Sequence, residues 1–253
     1  MTEVPMTEVD QLKRMIDAAE RIVAFTGAGI STESGIPDFR SPGGIWTRYQ
    51  PIEFQDFLAS EEMRRESWRR KFATDETMRK AEPNAGHRAL AKLVAQGRML
   101  AVITQNIDGL HQASGVPDDK VIELHGNATY AACLDCRRRH ELDWVRQIFD
   151  DNETLPRCMA CGGILKTATI SFGQSMPEDA MERAHDVARQ ADLMITLGSS
   201  LVVYPAAGFP VMAKRLGAKY VIINREPTDQ DGIADLVINS EIGTTIGKAV
   251  GVN

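Results

Sequence analysis

No run in this 253-residue chain is apolar for long enough to cross a bilayer, and MTEVPMTEVDQLKRM at its start has no apolar segment of the secretory-signal kind. Positive charge is not in excess either: 29 Lys and Arg stand against 35 Asp and Glu, a net charge of −6. That balance argues against a general nucleic-acid coat and leaves open a local acidic groove for a basic peptide. The expectation is a cytoplasmic protein with no membrane partner and no direct nucleic-acid binding. Low-complexity tracts and solenoid-length repeats are missing. Cysteine is scarce, with four residues confined to two Cys-x-x-Cys pairs. In a reducing compartment such pairs more often hold a metal than form disulfides.

What is present alternates. Short apolar runs of strand length occur at Ile22–Phe25, Leu100–Thr104, Val121–Leu124, Leu193–Leu197, Tyr220–Ile223 and Leu236–Ile238. They suit strands buried on both faces of a parallel sheet. Helical spacing marks Asp10–Ala19, Gly86–Gln96, Glu178–Gln190, Met212–Leu216 and Ile242–Val250. Strand alternating with helix predicts an α/β fold, a doubly wound parallel sheet of Rossmann-like type. Two segments interrupt it. Residues 41–85 have mostly helical spacing, and residues 127–166 contain every cysteine together with Pro156 and Gly162-Gly163. These two insertions are expected to form a smaller helical and zinc-ribbon domain. Residues 1–40, 86–126 and 167–253 then make the nucleotide-binding domain.

The cysteine spacing is the most specific signal. Cys133-x-x-Cys136, then 21 residues, then Cys158-x-x-Cys161 is the pattern of a zinc ribbon. Four thiolates close a tetrahedral shell and leave no position for water, so one structural zinc is expected. Gly27-Ala28-Gly29 after a strand is the start of a phosphate-cradling turn, but the third glycine of G-x-G-x-x-G should fall at Thr32 and the next glycine is Gly35. Three further strand ends hold polar groups where open parallel sheets bind ligands: TQNIDGLH (104–111), ELHGN (123–127) and TLGSS (196–200). Asn106 or Asp108 could simply cap a short helix. Gly198-Ser199-Ser200 can cradle phosphate, while Asn224 and Glu226 end a fourth strand where ribose or adenine would lie. His87, His111, His140 and His185 read as packing or surface residues. The Arg137-Arg138-Arg139-His140 run reads as a solvated turn.

Six ordered motifs (GAGIS, GIPDFR, QNID, HG, the two Cys-x-x-Cys pairs and GSS) make the chain resemble a sirtuin from about Val9 to Ala249. The resemblance implies an NAD-dependent protein lysine deacylase that releases nicotinamide, deacylated lysine and O-acyl-ADP-ribose. It also explains the charged appendage after the glycines, because a sirtuin must break the nicotinamide–ribose bond as well as hold pyrophosphate. By resemblance, Gly27, Ala28, Gly29, Thr32, Asp38, Gln105, Gly198, Ser199, Ser200, Asn224 and Glu226 bind NAD. Phe39 shields the ribose face and Arg40 contacts phosphate. Asp108 and the Ile107 backbone hold the nicotinamide carboxamide, and Asn106 orders water and ribose hydroxyls. His125 is the general base toward a ribose hydroxyl. An acyl-lysine peptide lies as an added strand between Phe172-Gly173 and Val202-Val203.

The chain departs from the family where Pro-Asp is replaced by Thr167-Ala168 and the acidic residue after Phe-Gly by Gln174. The branch that removes acidic acyl groups has Tyr and Arg at positions matching Trp68 and Lys71, so the resemblance implies preference for neutral acyl groups. An NAD-dependent mono-ADP-ribosyltransferase is the main rival. A zinc-ribbon DNA-binding module fits the cysteines but not His125 or the acidic balance, and a dehydrogenase reading fails because this chain has a displaced third glycine and no ribose acid.

Overall fold

The computed structural model describes residues 7–38, 44 and 50–252. In chain order the elements begin with α1 (Glu8–Ala18), β1 (Ile22–Thr26), a 3-10 helix at Ala28–Ser34, α2 (Phe54–Ala59) and α3 (Glu61–Lys80). Next come α4 (Ala85–Ala95), β2 (Met99–Thr104), α5 (Leu110–Ala113), β3 (Val121–Glu123), β4 (Gly126–Cys133), β5 (Arg139–Glu141), α6 (Leu142–Phe149) and β6 (Leu165–Thr169). The last are α7 (Glu178–Gln190), β7 (Leu193–Leu197), α8 (Gly208–Arg215), β8 (Lys219–Ile223), β9 (Leu236–Ile238) and α9 (Ile242–Val250).

Six strands form a parallel sheet in the order β3-β2-β1-β7-β8-β9. The chain therefore winds outward from β1 in one direction, then in the other from β7. β1 is buried at every position, and its residues alternate between two cores. Ile22 and Ala24 join α1, α4 and α9 through Leu12, Ile16, Leu90, Leu93 and Ile246. Val23 and Phe25 join α7 and α8 through Ala180, Ala184, Ala188, Phe209 and Ala213. This period-two division is the physical content of a doubly wound sheet. Each large aliphatic or aromatic side chain so buried stabilises the fold by about 1.5–3 kcal/mol. The alanines of α7 recur every fourth residue and let that helix lie close against the strands.

A second, separate sheet is antiparallel, in the order β5-β4-β6. It packs with α3 and α6 around Trp68, Phe72, Ala131, Leu142, Val145, Phe149 and Leu165, together with Cys133 and Cys158. α3 starts on a Ser60 side chain that accepts from the Met63 N–H. It is held outwardly by charge: Arg69 donates to both oxygens of Glu153, at 2.6 Å to Oε1, and to Glu62 at 2.8 Å.

This arrangement overturns the expected acyl contacts. Trp68 is 1% exposed and stacks on Phe72 with ring centroids 5.6 Å apart, and Lys71 is buried in an ion pair with Asp75. Neither reaches the cavity described below. A large aromatic ring one helical turn from Phe72 gains more from the apolar core than from a polar pocket. These two residues therefore say nothing about acyl preference.

Candidate functional site

At the C-terminal ends of β1 and β7 the two backbones nearly touch. The Gly29 N–H donates to the Gly198 carbonyl at 2.8 Å, and the Gly27 N–H to the Leu197 carbonyl at 3.0 Å. A Cβ on Gly29 would come within 2.6 Å of Gly198 Cα, and one on Gly198, where φ is +65°, within 2.3 Å of the Ile30 nitrogen. The glycines are required by this contact, which fixes the floor of a crevice at the point where the strand order reverses. The turn then continues as a 3-10 helix ended by Gly35 in the left-handed conformation, φ 84°. Where the dinucleotide fingerprint would open a long α-helix, the segment after β1 is only this seven-residue 3-10 helix.

β2 and β3 deliver the polar side chains. Asn106 Nδ2 donates to the Gly27 carbonyl at 3.1 Å and to Ser31 Oγ at 3.2 Å. Ser31 Oγ donates to Asp108 Oδ2 at 2.7 Å, and Asp108 Oδ1 accepts the Leu110 N–H at 2.9 Å. Asp108 thus accepts the first N–H of α5 and anchors the glycine turn at once. Burial pushes its carboxyl above the ordinary range, against the pull of these donors. Gln105 Nε2 donates to Ser199 Oγ at 2.8 Å, tying β2 to β7.

His125 follows β3 and faces the same space. Its Nδ1 lies 3.1 Å from the Gln105 carbonyl, which can only accept, so Nδ1 bears the proton and the Nε2 lone pair is left for the cavity. Burial lowers the pKa of the ring, partly opposed by the Gln105 contact, and the imidazole is neutral near pH 7. Its own carbonyl accepts the Ile170 N–H at 2.8 Å. A Cβ on the next residue, Gly126, would sit 2.1 Å from the Ala168 carbonyl oxygen, so only glycine permits this crossing beside the ring.

Around these groups lies a cavity of about 1100 Å³. Of the residues expected from the sequence, it brings together Gly27, Ala28, Gly29, Thr32, Asp38, Gln105, Asn106, Ile107, His125, Phe172, Gly173, Gly198, Ser199, Ser200, Val203, Asn224 and Glu226. Asp108 stands one layer behind, reached through Ser31, and Val202 is an exposed neighbour that does not line the wall. Phe39 and Arg40 lie outside the described residues. The departures have local roles: Thr167 pairs with Ala131 in the β4–β6 ladder, and Gln174 closes its turn by accepting the Ser171 N–H at 3.2 Å.

Sequence reasoning did not assign Ser31, Ile52, Tyr204, Arg225 or Ile242, of which the last four line the cavity. Ser31 was detectable as a buried hydroxyl inside the glycine turn. Ile52 comes from the helical insertion, where nothing in the sequence marks it for this wall. The Phe54 N–H donates to the Phe172 carbonyl at 2.9 Å and brings that segment alongside.

The four cysteine sulfurs lie within 4.8 Å of one another. Cys133 and Cys161 are 3.5 Å apart, and Cys136 and Cys158 3.6 Å, far beyond a disulfide bond and close to the roughly 3.8 Å expected between thiolates around zinc. The Cys136 and Ala160 N–H groups point at Cys133 and Cys158 sulfur, at 3.5 and 3.4 Å. A Cβ on Gly163 would come within 2.9 Å of Cys133 sulfur. The set fits one structural zinc, held by all four thiolates with no open position. Among the described residues no helix is long and apolar enough to cross a membrane.

The Sir2 family profile matches residues 27–205. An NAD-dependent protein deacetylase of Rhodopseudomonas palustris is 62% identical over 243 residues, covering 96% of each chain. NAD-dependent protein deacetylase 1 of Bradyrhizobium diazoefficiens is also 62% identical, covering 96% of this chain and 95% of its own. A solved structure described as Sir2 with a p53 peptide and NAD+ superimposes with a TM-score of 0.87 at 36% identity, over 97% of this chain and 98% of that one. The glycine contact, the polar ends of β2, β3 and β7, His125 and the four-cysteine cluster lie within the matched span, and the chain belongs to the Sir2 family.

Proposed function

We propose that this protein is an NAD-dependent protein lysine deacylase, with NAD consumed as co-substrate. The observation that supports this best is the placing of a neutral histidine with a fixed tautomer in the same cavity as the glycine and Gly-Ser-Ser cradles. In this reading the cradle residues Gly27, Ala28, Gly29, Thr32, Asp38, Gly198, Ser199 and Ser200 hold the phosphates and ribose, and Asn224 and Glu226 hold the adenosine end. The family resemblance assigns Phe39 and Arg40 to NAD contacts as well. NAD supplies an activated ribose carbon once nicotinamide departs. Ile107, and Asp108 acting through Ser31, hold the nicotinamide side of the cavity. Asn106 presents its amide oxygen to the reacting centre, since both nearby acceptors use its NH₂ group.

The amide oxygen of acyl-lysine is a weak nucleophile, so positioning carries much of the rate. Phe172, Gly173, Val202 and Val203 flank the entrance, where a peptide strand would bring the acyl-lysine inward. His125 Nε2 would then accept a proton from a ribose hydroxyl while Nδ1 stays anchored on Gln105; that hydroxyl takes the acyl carbon, lysine leaves as the amine, and one water supplies the oxygen and protons that balance the products. The outcome is nicotinamide, free lysine and O-acyl-ADP-ribose. Residues 1–40, 86–126 and 167–253 form the nucleotide domain in this proposal, and 41–85 with 127–166 the smaller one. Four reduced cysteines suit a cytoplasmic location.

Incubation with NAD labelled in the adenylate and an acetyl-lysine peptide tests the reading. Label in a small acylated product, with loss of acetyl from the peptide, is expected. Label retained on protein with the peptide unchanged would point to mono-ADP-ribosyl transfer instead.

A further inference from the structure

Two histidines outside the cavity wall sit behind the strand ends that furnish it. His87, in the first turn of α4, and His111, in α5, are fully buried, with ring centroids 5.0 Å apart. Each ring has one nitrogen engaged. The Asn84 N–H donates to His87 Nδ1 at 3.4 Å, and His111 Nε2 lies 2.9 Å from Thr26 Oγ1. The other two nitrogens, His87 Nε2 and His111 Nδ1, have no partner among the described atoms.

The tautomers follow from what each partner can do. A backbone N–H only donates, so His87 Nδ1 is the acceptor and its proton is on Nε2. Thr26 Oγ1 donates its single proton to Thr104 Oγ1 at 2.8 Å. It must therefore receive at its other contact, which puts the His111 proton on Nε2 and leaves Nδ1 bare. The two unmatched atoms on neighbouring rings are thus one donor and one acceptor, each costly to leave buried and unpaired. The opposite tautomer of His111 would set two donors against each other.

We propose that His87 Nε2–H is joined to His111 Nδ1, by a small ring rotation or through one buried water, and that the resulting chain positions Asn106. The chain runs from the Asn84 N–H through His87, His111 and Thr26 to Thr104. Thr104 Oγ1 also accepts the Asn106 N–H at 3.0 Å. It therefore fixes the peptide from which the Asn106 side chain reaches Gly27 and Ser31. A tilt there would carry the free Asn106 oxygen away from the reacting centre. His111 and Thr26 are positioning residues, and their effect on rate rests on the deacylase reading.

Two measurements test this separately. Long-range ¹H–¹⁵N spectra of the native protein at neutral pH should show both rings as Nε2–H tautomers; an Nδ1–H signal for His111 would overturn the relay whatever the activity. In kinetics, Thr26→Val and His111→Leu should each lower kcat about tenfold, since small misplacements near a reacting centre are expensive. KM for NAD should stay within about twofold, because ground-state binding is untouched. The double variant should be no slower than either single one, as members of one chain are not additive. His111→Gln, which restores an N–H near the Nε2 position, should return most of the rate. Multiplying losses, equal loss in the Gln and Leu variants, or an unchanged kcat would overturn the proposal. Thr26→Val is nearly isosteric, so it serves if His111→Leu fails to fold. A wild-type protein without deacylation would refute the deacylase reading and leave the tautomer result to judge the hydrogen-bond chain.

Discussion

His125, His87 and His111 all lose hydration, and burial lowers the pKa of each. The consequences differ because of their partners. His125 has a carbonyl at Nδ1 that favours the protonated ring, so its pKa is lowered against an opposing contact. Its base form is lost as pH falls through a value below the usual 6.5 or so. The acid limb of kcat/KM should therefore lie below that value, and a limb above pH 7 would remove His125 as the base. His87 is held down to about 4 and His111 to about 3 by desolvation. The unfolded chain binds these protons near pH 6.5, whereas the native protein refuses them until far lower. Stability is then full above pH 6.5 and declines as pH falls toward 4, by about 1.4 kcal/mol per pH unit for each ring. Urea unfolding at intervals from pH 7.5 to 5 reads this slope. A slope equal to that of a His87→Gln, His111→Gln double variant would show that the pair contributes nothing.

At the scale of elements, the parallel sheet was legible because burial on both faces leaves uninterrupted apolar runs such as Ile22–Phe25 and Leu193–Leu197. The ends shifted by a residue or two, and α8 begins at Gly208 rather than near Met212, since Phe209 and Pro210 are buried in its first turn. The antiparallel strands β4 to β6 were not legible. β4 reads GNATYAAC, small residues with no clear alternation, and its pairing is fixed by β6 and the cysteine cluster rather than by its own pattern. The placement of Trp68 failed for a related reason: helical spacing told which residues share a face, but not which core that face meets. Two predictions belong here. Gly198→Ala should cost several-fold in NAD affinity and on the order of 1–3 kcal/mol in stability, because its Cβ would meet the Ile30 nitrogen at 2.3 Å in a left-handed conformation. Unchanged melting and NAD titration would contradict the contact. Cys158→Ser should lose the metal together with order in the β4–β6 sheet, as site formation and folding are coupled. Metal analysis with circular dichroism reads both; a folded, zinc-free and fully active variant would show that the zinc is dispensable.

For the molecule as a whole, the site is assembled from distant parts of the chain. The glycine turn after β1, the polar ends of β2 and β3, the Gly-Ser-Ser turn after β7 and the Asn224–Glu226 end of β8 meet at one sheet edge. The sequence motifs told which residues face that edge because strand ends in a parallel sheet share a direction. They did not place Ser31 between Asn106 and Asp108, since that contact depends on the 3-10 turn. The central claim is that one cavity cleaves NAD and moves an acyl group from lysine to the sugar with His125 as base. It is tested most directly by a mass balance with a ¹³C-acetyl-lysine peptide and NAD, for the wild type and His125→Ala. The wild type should give nicotinamide, free lysine peptide and ¹³C-acetyl-ADP-ribose in equal amounts, and His125→Ala should bind NAD yet turn over ~10²–10⁴-fold more slowly. Release of the label as acetate without acetyl-ADP-ribose at any time, or a loss of less than tenfold in the variant, would contradict the account.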